Sequence, residues 1–197
     1  MDSKEDKWLG IEDFLGSWQA EETANDDFMA AAGVPWLLRK MAKRATPPIH
    51  HITREEGMDA IRIRVEGVSG NDTLYPADQE SVTYVVERTG AKYEDTTYMD
   101  SKGRLYSQKV RESDSFTVEA TREICDGGDA HVMLLVGTKT DGTQVKQEII
   151  FRRVSSAESK NTAEAKSSYD DDYKNANCES PQAESKSGDG ESKASFK

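Results

Sequence analysis

Two cysteines and three histidines among 197 residues leave this chain little material for metal or thiol chemistry. It has no Gly-rich phosphate loop, no Ser-His-Asp spacing and no Cys/His cluster at ligand spacing, so we expect no catalytic residue, no metal and no cofactor. The adjacent carboxylates Asp26 and Asp27 fall at a predicted helix start, where they complement the helix dipole. Cys125 and Cys178 are expected as free thiols of a reducing compartment. No run approaches the ~20 apolar residues of a membrane span, and the charged stretch from Met1 to Trp8 has no apolar core of a secretory signal. A soluble, cytoplasmic protein is the expectation. In that setting the sequon Asn71-Asp72-Thr73 reads as a turn, not as a glycosylation site. A basic stripe is missing too: 37 acidic residues against 26 basic ones give a net charge of −11, which argues against nucleic acid as a partner.

What is present divides into three parts. Residues 1–11 are expected to be a flexible N-terminus, 12–154 a folded domain, and 155–197 a disordered tail. The tail is dominated by Ser, Lys, Glu, Asp, Ala and Asn, with nine acidic residues and six lysines. It cannot bury enough apolar surface to offset its ordering entropy.

Between Ile49 and Val154 short strands alternate with turns. Ile61, Ile63 and Val65 share one face while Arg62 and Arg64 share the other, so the period is two and one face is wet. Further runs lie near 72–77, 81–88, 92–99, 104–111, 115–123, 130–139 and 144–154, with turns at Thr89-Gly90, Asp100 to Gly103, Asp126-Gly127-Gly128 and Asp141-Gly142. Strands near 13–22 and 49–55 bring the count to ten. Helices are expected only at about 25–32 and 35–44. This spacing predicts an all-β fold: a ten-stranded up-and-down antiparallel barrel, closed to remove its edges, with a two-helix insertion after the first strand. A barrel of that size is too wide for its own side chains to fill, which implies an internal cavity.

The segment from Phe14 to Pro48 carries a more specific signal. Gly16-Ser17-Trp18 opens a strand, Asp26-Asp27-Phe28-Met29 opens a short helix, Gly33-Val34 turns, Arg39-Lys40 sits in a second helix, and prolines precede the second strand. In this order the segment resembles the opening of the intracellular fatty-acid-binding proteins, of the calycin superfamily, and the similarity runs on through Ile61 to Glu66 as far as Val154. The resemblance implies a non-enzymatic carrier of a long-chain fatty acid or related lipid, with the two helices as a lid. Family members grip the carboxylate with an Arg-x-Tyr on the last strand, helped by an arginine on the eighth. This chain departs from the pattern, with Ile149 at the arginine position and Phe151 at the tyrosine position.

Burying about fifteen methylenes at ~0.8 kcal/mol each drives binding by at most ~12 kcal/mol, whereas a charge-assisted hydrogen bond contributes about 1.5–3 kcal/mol. Apolar binding therefore survives loss of the clamp, but an ionised headgroup still needs a partner. It pairs with another basic residue, it points to the portal, or the ligand is neutral. Parity nominates Phe116, Val118, Ala120 and Arg122 on the eighth strand and Gln147, Ile149 and Phe151 on the tenth as lining residues, with Ile61, Ile63 and Val65 on the third. Arg122 is the candidate internal cation; the alternative is a solvated strand-end arginine. Phe28, Met29, Trp36 and Leu37 have lid spacing. Trp18 reads as a core plug at the closed end, and His51 as a surface histidine. Arg39, Lys40, Lys43 and Arg44 make the second helix basic, suited to transient contact with an anionic membrane surface, and the protein is expected to be a monomer. The competing class is a ligand-independent interaction or stress-protective barrel that acts through its acidic tail.

Overall fold

The structure, a computed structural model, describes residues 7–67, 70–86 and 90–154; the expected tail, with Cys178, lies outside the described residues. Ten strands follow in chain order: β1 (Gly16–Ala20), β2 (Ile49–Arg54), β3 (Ala60–Glu66), β4 (Asn71–Pro76), β5 (Val82–Val86), β6 (Ala91–Met99), β7 (Leu105–Arg111), β8 (Thr117–Cys125), β9 (Ala130–Thr138) and β10 (Gln144–Val154). Each pairs antiparallel with its sequence neighbour except across β4 and β5, and β10 returns to pair with β1, with Trp18 opposite Arg153 and Ala20 opposite Phe151. The result is the expected meander, nearly closed into a barrel. Side chains bridge the unpaired seam instead. Lys7 Nζ donates to the carbonyls of Pro76 (3.2 Å) and Gln79 (2.6 Å), and Tyr75 donates its hydroxyl to Asp95 on β6 (2.7 Å).

Two helices, α1 (Asp26–Ala31) and α2 (Trp36–Ala42), sit between β1 and β2. Asn25 caps α1 by accepting from the Phe28 amide at 2.8 Å. Gly33, at φ 77°, ends the helix where an L side chain would be strained. Asp26 then ties the pair together, 3.3 Å from Arg39 Nε and 3.5 Å from Lys43 Nζ.

The N-terminal segment differs from expectation. Residues from Lys7 onward pack on the barrel, and Trp8, Ile11 and Phe14 are fully buried, the last two in a 3-10 turn at Ile11–Phe14. Their spacing of three is the period of that turn, so all three rings and branches point the same way, onto Trp18 in the closed end. The Lys7 carbonyl also accepts from the Met99 amide at 3.1 Å. A stretch that is charged on average thus carries an apolar stripe that plugs the barrel. The sequon is a second correction: Asn71, Asp72 and Thr73 lie within β4 and not in a turn, with Thr73 turned inward and buried.

Candidate ligand-binding site

Strand register fixes which side chains point into the barrel. Along β8 these are Val118, Ala120, Arg122 and Ile124, facing Gly137, Leu135, Met133 and His131 on β9. On β10 they are Val145, Gln147, Ile149 and Phe151, as parity predicts. The deep half is packed solid around Trp18, Phe14, Leu105, Ile52, Ile61 and Phe151. Nearer the helices, inward-facing Val65, Tyr84, Lys109, Val118, Leu135 and Val145 are only partly buried. The inward side chains that keep accessible surface therefore lie above a fully buried floor.

At that floor Arg122 is an interior residue, 6 % exposed. Its Nη1 lies 3.5 Å from Ser107 Oγ, and its Nε has no hydrogen-bond partner. Burial pushes the guanidinium pKa down, only partly countered by Tyr75 and Asp95. Sequence reading missed the group next to it. Asp95, fully buried on β6, accepts from Tyr75 (2.7 Å) and Thr97 (3.1 Å) and lies 3.5 Å from Lys109 Nζ on β7. Thr97 and Ser107 hydroxyls are 3.1 Å apart and connect this pair to Arg122. Burial works against the Lys109 ammonium, but Asp95, Tyr75 and Tyr84 outweigh it and hold its pKa above the ordinary value. Two cations against one carboxylate leave the column one positive charge in excess.

Two buried histidines were also missed. His50 and His131 flank Phe151, with ring centroids at 4.6 Å and 4.8 Å, and the His131 ring packs edge-on against Trp18 at 4.7 Å. Neither His131 nitrogen has a hydrogen-bond partner. Burial, then Arg122 and Arg153, push the His131 pKa down to about 3, and burial above all drives His50 well below its ordinary range. Both rings are neutral at pH 7. The signal in the sequence was His50-His51-Ile52, where parity with Ile52 turns His51 outward.

The nominated lid residues separate. Phe28 and Met29 on α1 are buried against the barrel mouth, beside Phe116 at the start of β8. Trp36 and Leu37 do not line the interior: each is 62 % exposed, and α2 buries no residue. Gln147 faces inward yet is occupied, accepting from the Asn25 amide at 2.8 Å and donating to the Thr23 carbonyl at 3.3 Å. It pins the entrance to α1. Arg111 anchors the other end of α1, donating to the Ala32 carbonyl while pairing with Asp114 at 2.7 Å.

Two features outside the lumen lack what a reactive site needs. On the outer face Ser17 Oγ lies 2.8 Å from His51 Nδ1, and His51 Nε2 lies 3.1 Å from Glu66 Oε1. β1 is paired on both sides, so its amides are not free to form an oxyanion hole. A cleft of about 440 Å3 at the closed end is lined by Glu12, Asp13, Cys125, Gly128 and Arg153. Burial and Asp126 raise the Cys125 thiol pKa, which makes it a poor nucleophile. Among the described residues no cluster of three metal-ligating side chains occurs and no helix is long and apolar enough to cross a membrane.

No protein-family model and no curated protein matches the chain. Solved structures do. The REP1-NXSQ fatty acid transporter is 25% identical with a TM-score of 0.57 over 73% of this chain and 97% of its own. A Schistosoma mansoni fatty acid binding protein in complex with arachidonic acid is 21% identical, with a TM-score of 0.58 over 74% of this chain and 99% of its own. The chain carries the fatty-acid-binding-protein fold. That fold is shared by a secretory abundant heat soluble protein from Ramazzottius varieornatus, 14% identical with a TM-score of 0.58 over 72% of this chain and 96% of its own. In this chain Arg122 faces inward on β8, and Ile149 and Phe151 face inward on β10.

Proposed function

We propose that the barrel binds a small hydrophobic ligand, a long-chain fatty acid or related lipid, and carries it through the cytoplasm as a monomer without chemical change. The observation that carries this reading is Arg122: a guanidinium 6 % exposed, inward, with an unpartnered Nε. An unpaired buried donor costs about 1–3 kcal/mol, and more when charged, unless something enters to accept from it. A carboxylate does so, and its chain then lies against Val118, Leu135, Ile149 and Val65. The similarity to a fatty acid transporter and to an arachidonate complex supports the same class.

The portal reading follows from α2. With Gln147 and Arg111 holding α1, α2 is the helix with no fully buried residue, and it presents exposed Trp36 and Leu37, with Lys40 Nζ 5.7 Å over the Trp36 ring. Arg39 and Lys43 are spent on Asp26, so the cationic face is half of what composition suggested. Transient contact of this helix with an anionic membrane is the proposed transfer step.

Native mass spectrometry and solvent extraction of freshly purified protein test the reading directly. A co-purifying anionic lipid is expected at one per barrel. Failure of any long-chain acid to bind or to displace an apolar fluorescent probe overturns it.

A further inference from the structure

The interior is not apolar all round. Inward positions of β4 to β7 carry Thr73, Tyr75, Tyr84, Asp95, Thr97 and Lys109, while the facing positions of β3, β9 and β10 carry Ile63, Met133, Leu135, Ile149 and Phe151. A plain acyl chain gains nothing from such a division, because a polar wall against methylenes costs desolvation without return.

The polar wall holds a cationic donor that its neighbours do not exhaust. Asp95 already accepts from Tyr75 and Thr97 and pairs with Lys109. The Thr97 and Ser107 hydroxyls are committed to each other, to Asp95 and to Arg122. Lys109 has three N–H donors, and its ammonium lies 3.5 Å from Asp95 and 5.6 Å over the Tyr84 ring, so donor capacity remains. Its side chain keeps 30% of its surface accessible although it points into the barrel. Lys109 and Ser107 are neighbours on the inward face of β7, about 6.6 Å apart along the strand at ~3.3 Å per residue. A spare cationic donor thus stands one inward step above the headgroup position at Arg122, on the same wall.

The geometry points to a ligand that bears a second oxygen: we infer that the barrel selects long-chain acids with a hydroxyl or carbonyl a few carbons beyond the carboxylate, the carboxylate on Arg122 and the second oxygen accepting from Lys109. This rests on the proposed lipid-binding function and narrows its ligand. One excess positive charge in the column matches one carboxylate. The second oxygen is neutral, since a second anion would leave the interior negative.

Displacement of an apolar fluorescent probe by octadecanoic acid, by 5-hydroxyoctadecanoic acid and by octadecanol tests the inference on the full chain. The hydroxy acid is expected to bind at least ten-fold tighter than the plain acid. Lys109→Met is expected to reduce that ratio to within two-fold. Because Lys109→Met leaves Asp95 buried without its cation, the Asp95→Asn/Lys109→Met double variant is measured alongside, and circular dichroism confirms that each is folded. Equal affinity of wild type for plain and hydroxylated acids overturns the inference and leaves the lipid-binding reading intact. A preference that survives in the folded double variant overturns the role of Lys109. If neither acid displaces the probe, both readings fall.

Discussion

The guanidinium of Arg153 lies 4.1 Å over the ring of Trp18, and the two residues are direct cross-strand partners on β10 and β1. The same arginine donates to the carbonyls of Gly128 (3.2 Å), Leu15 (2.7 Å) and Asp13 (3.0 Å), while Trp18 donates its indole N–H to the Phe14 carbonyl at 2.7 Å. One planar cation thus fastens the N-terminal plug, the last strand and the turn before β9 at the closed end. A Cβ on Gly16, whose φ is 127°, would stand 2.9 Å from Arg153 Nη1. The Gly-x-Trp pattern therefore has a mechanical reason here: the glycine gives the arginine room to reach over the tryptophan.

Arg153→Met is expected to lower stability by about 1.5–3 kcal/mol, the range for charge-assisted hydrogen bonds, read as a lower urea midpoint at unchanged slope. Arg153→Lys should recover less than half, because an ammonium lacks the planar fork that reaches three carbonyls. Gly16→Ala should cost more than ~1 kcal/mol from its backbone conformation alone.

Trp8→Ala tests whether the N-terminal segment is structural. Truncating a fully buried tryptophan costs about 3–5 kcal/mol. A midpoint within error of wild type would show that the segment merely rests on the barrel.

Arg122→Leu is expected to weaken a long-chain acid about ten- to hundred-fold, equivalent to ~1.5–3 kcal/mol, and to leave the alcohol of equal length nearly unaffected. Competition titrations with both ligands separate a headgroup role from a packing role. Equal losses for acid and alcohol would mean that Arg122 only shapes the interior.

Gly137 sits where a Cβ would meet Phe116 at 2.9 Å, Val145 at 3.1 Å and Phe28 at 3.3 Å. Gly137→Ala should cost about 1–3 kcal/mol through overpacking and lift Phe28 of α1 off the mouth. Stopped-flow release of a fluorescent fatty acid should accelerate in this variant.

Acid is expected to destabilise the protein through His131. Its folded pKa of about 3 lies below the ordinary 6.5, so the unfolded chain binds more protons between those values and stability falls as pH drops. The contribution is complete above pH 6.5 and is lost progressively down to about 3, a few kcal/mol at ~1.4 kcal/mol per pH unit. His50 acts in the same direction. Thermal melts between pH 7 and pH 4.5, above the usual carboxylate range, should show this slope in wild type and a shallower one in His131→Phe.

Much of the fold was legible in the sequence because its signals are local. Alternation placed Ile61 and Ile63 inward, Asp-Gly turns spaced the strands, and the Gly-x-Trp, helix and proline order located the insertion. Parity placed Ile149 and Phe151 inward and nominated Arg122, whose alternative as a solvated strand-end arginine only its burial removes. What the sequence could not supply was which inward residues meet, since that depends on register between strands far apart in the chain. Nothing local marks Asp95 and Lys109; they become partners only when β6 and β7 pair and place both on the inner wall. Trp36 and Leu37 read as lid residues until Arg39 and Lys43 turn toward Asp26 and α2 settles with Trp36 and Leu37 in solvent. Residues 7–11 read as flexible because charge dominates their average, although packing needs only Trp8 and Ile11. Composition and period decide what a segment is; only the closed barrel decides which charges it must bury together, because burial is a property of the whole enclosure and not of any one strand.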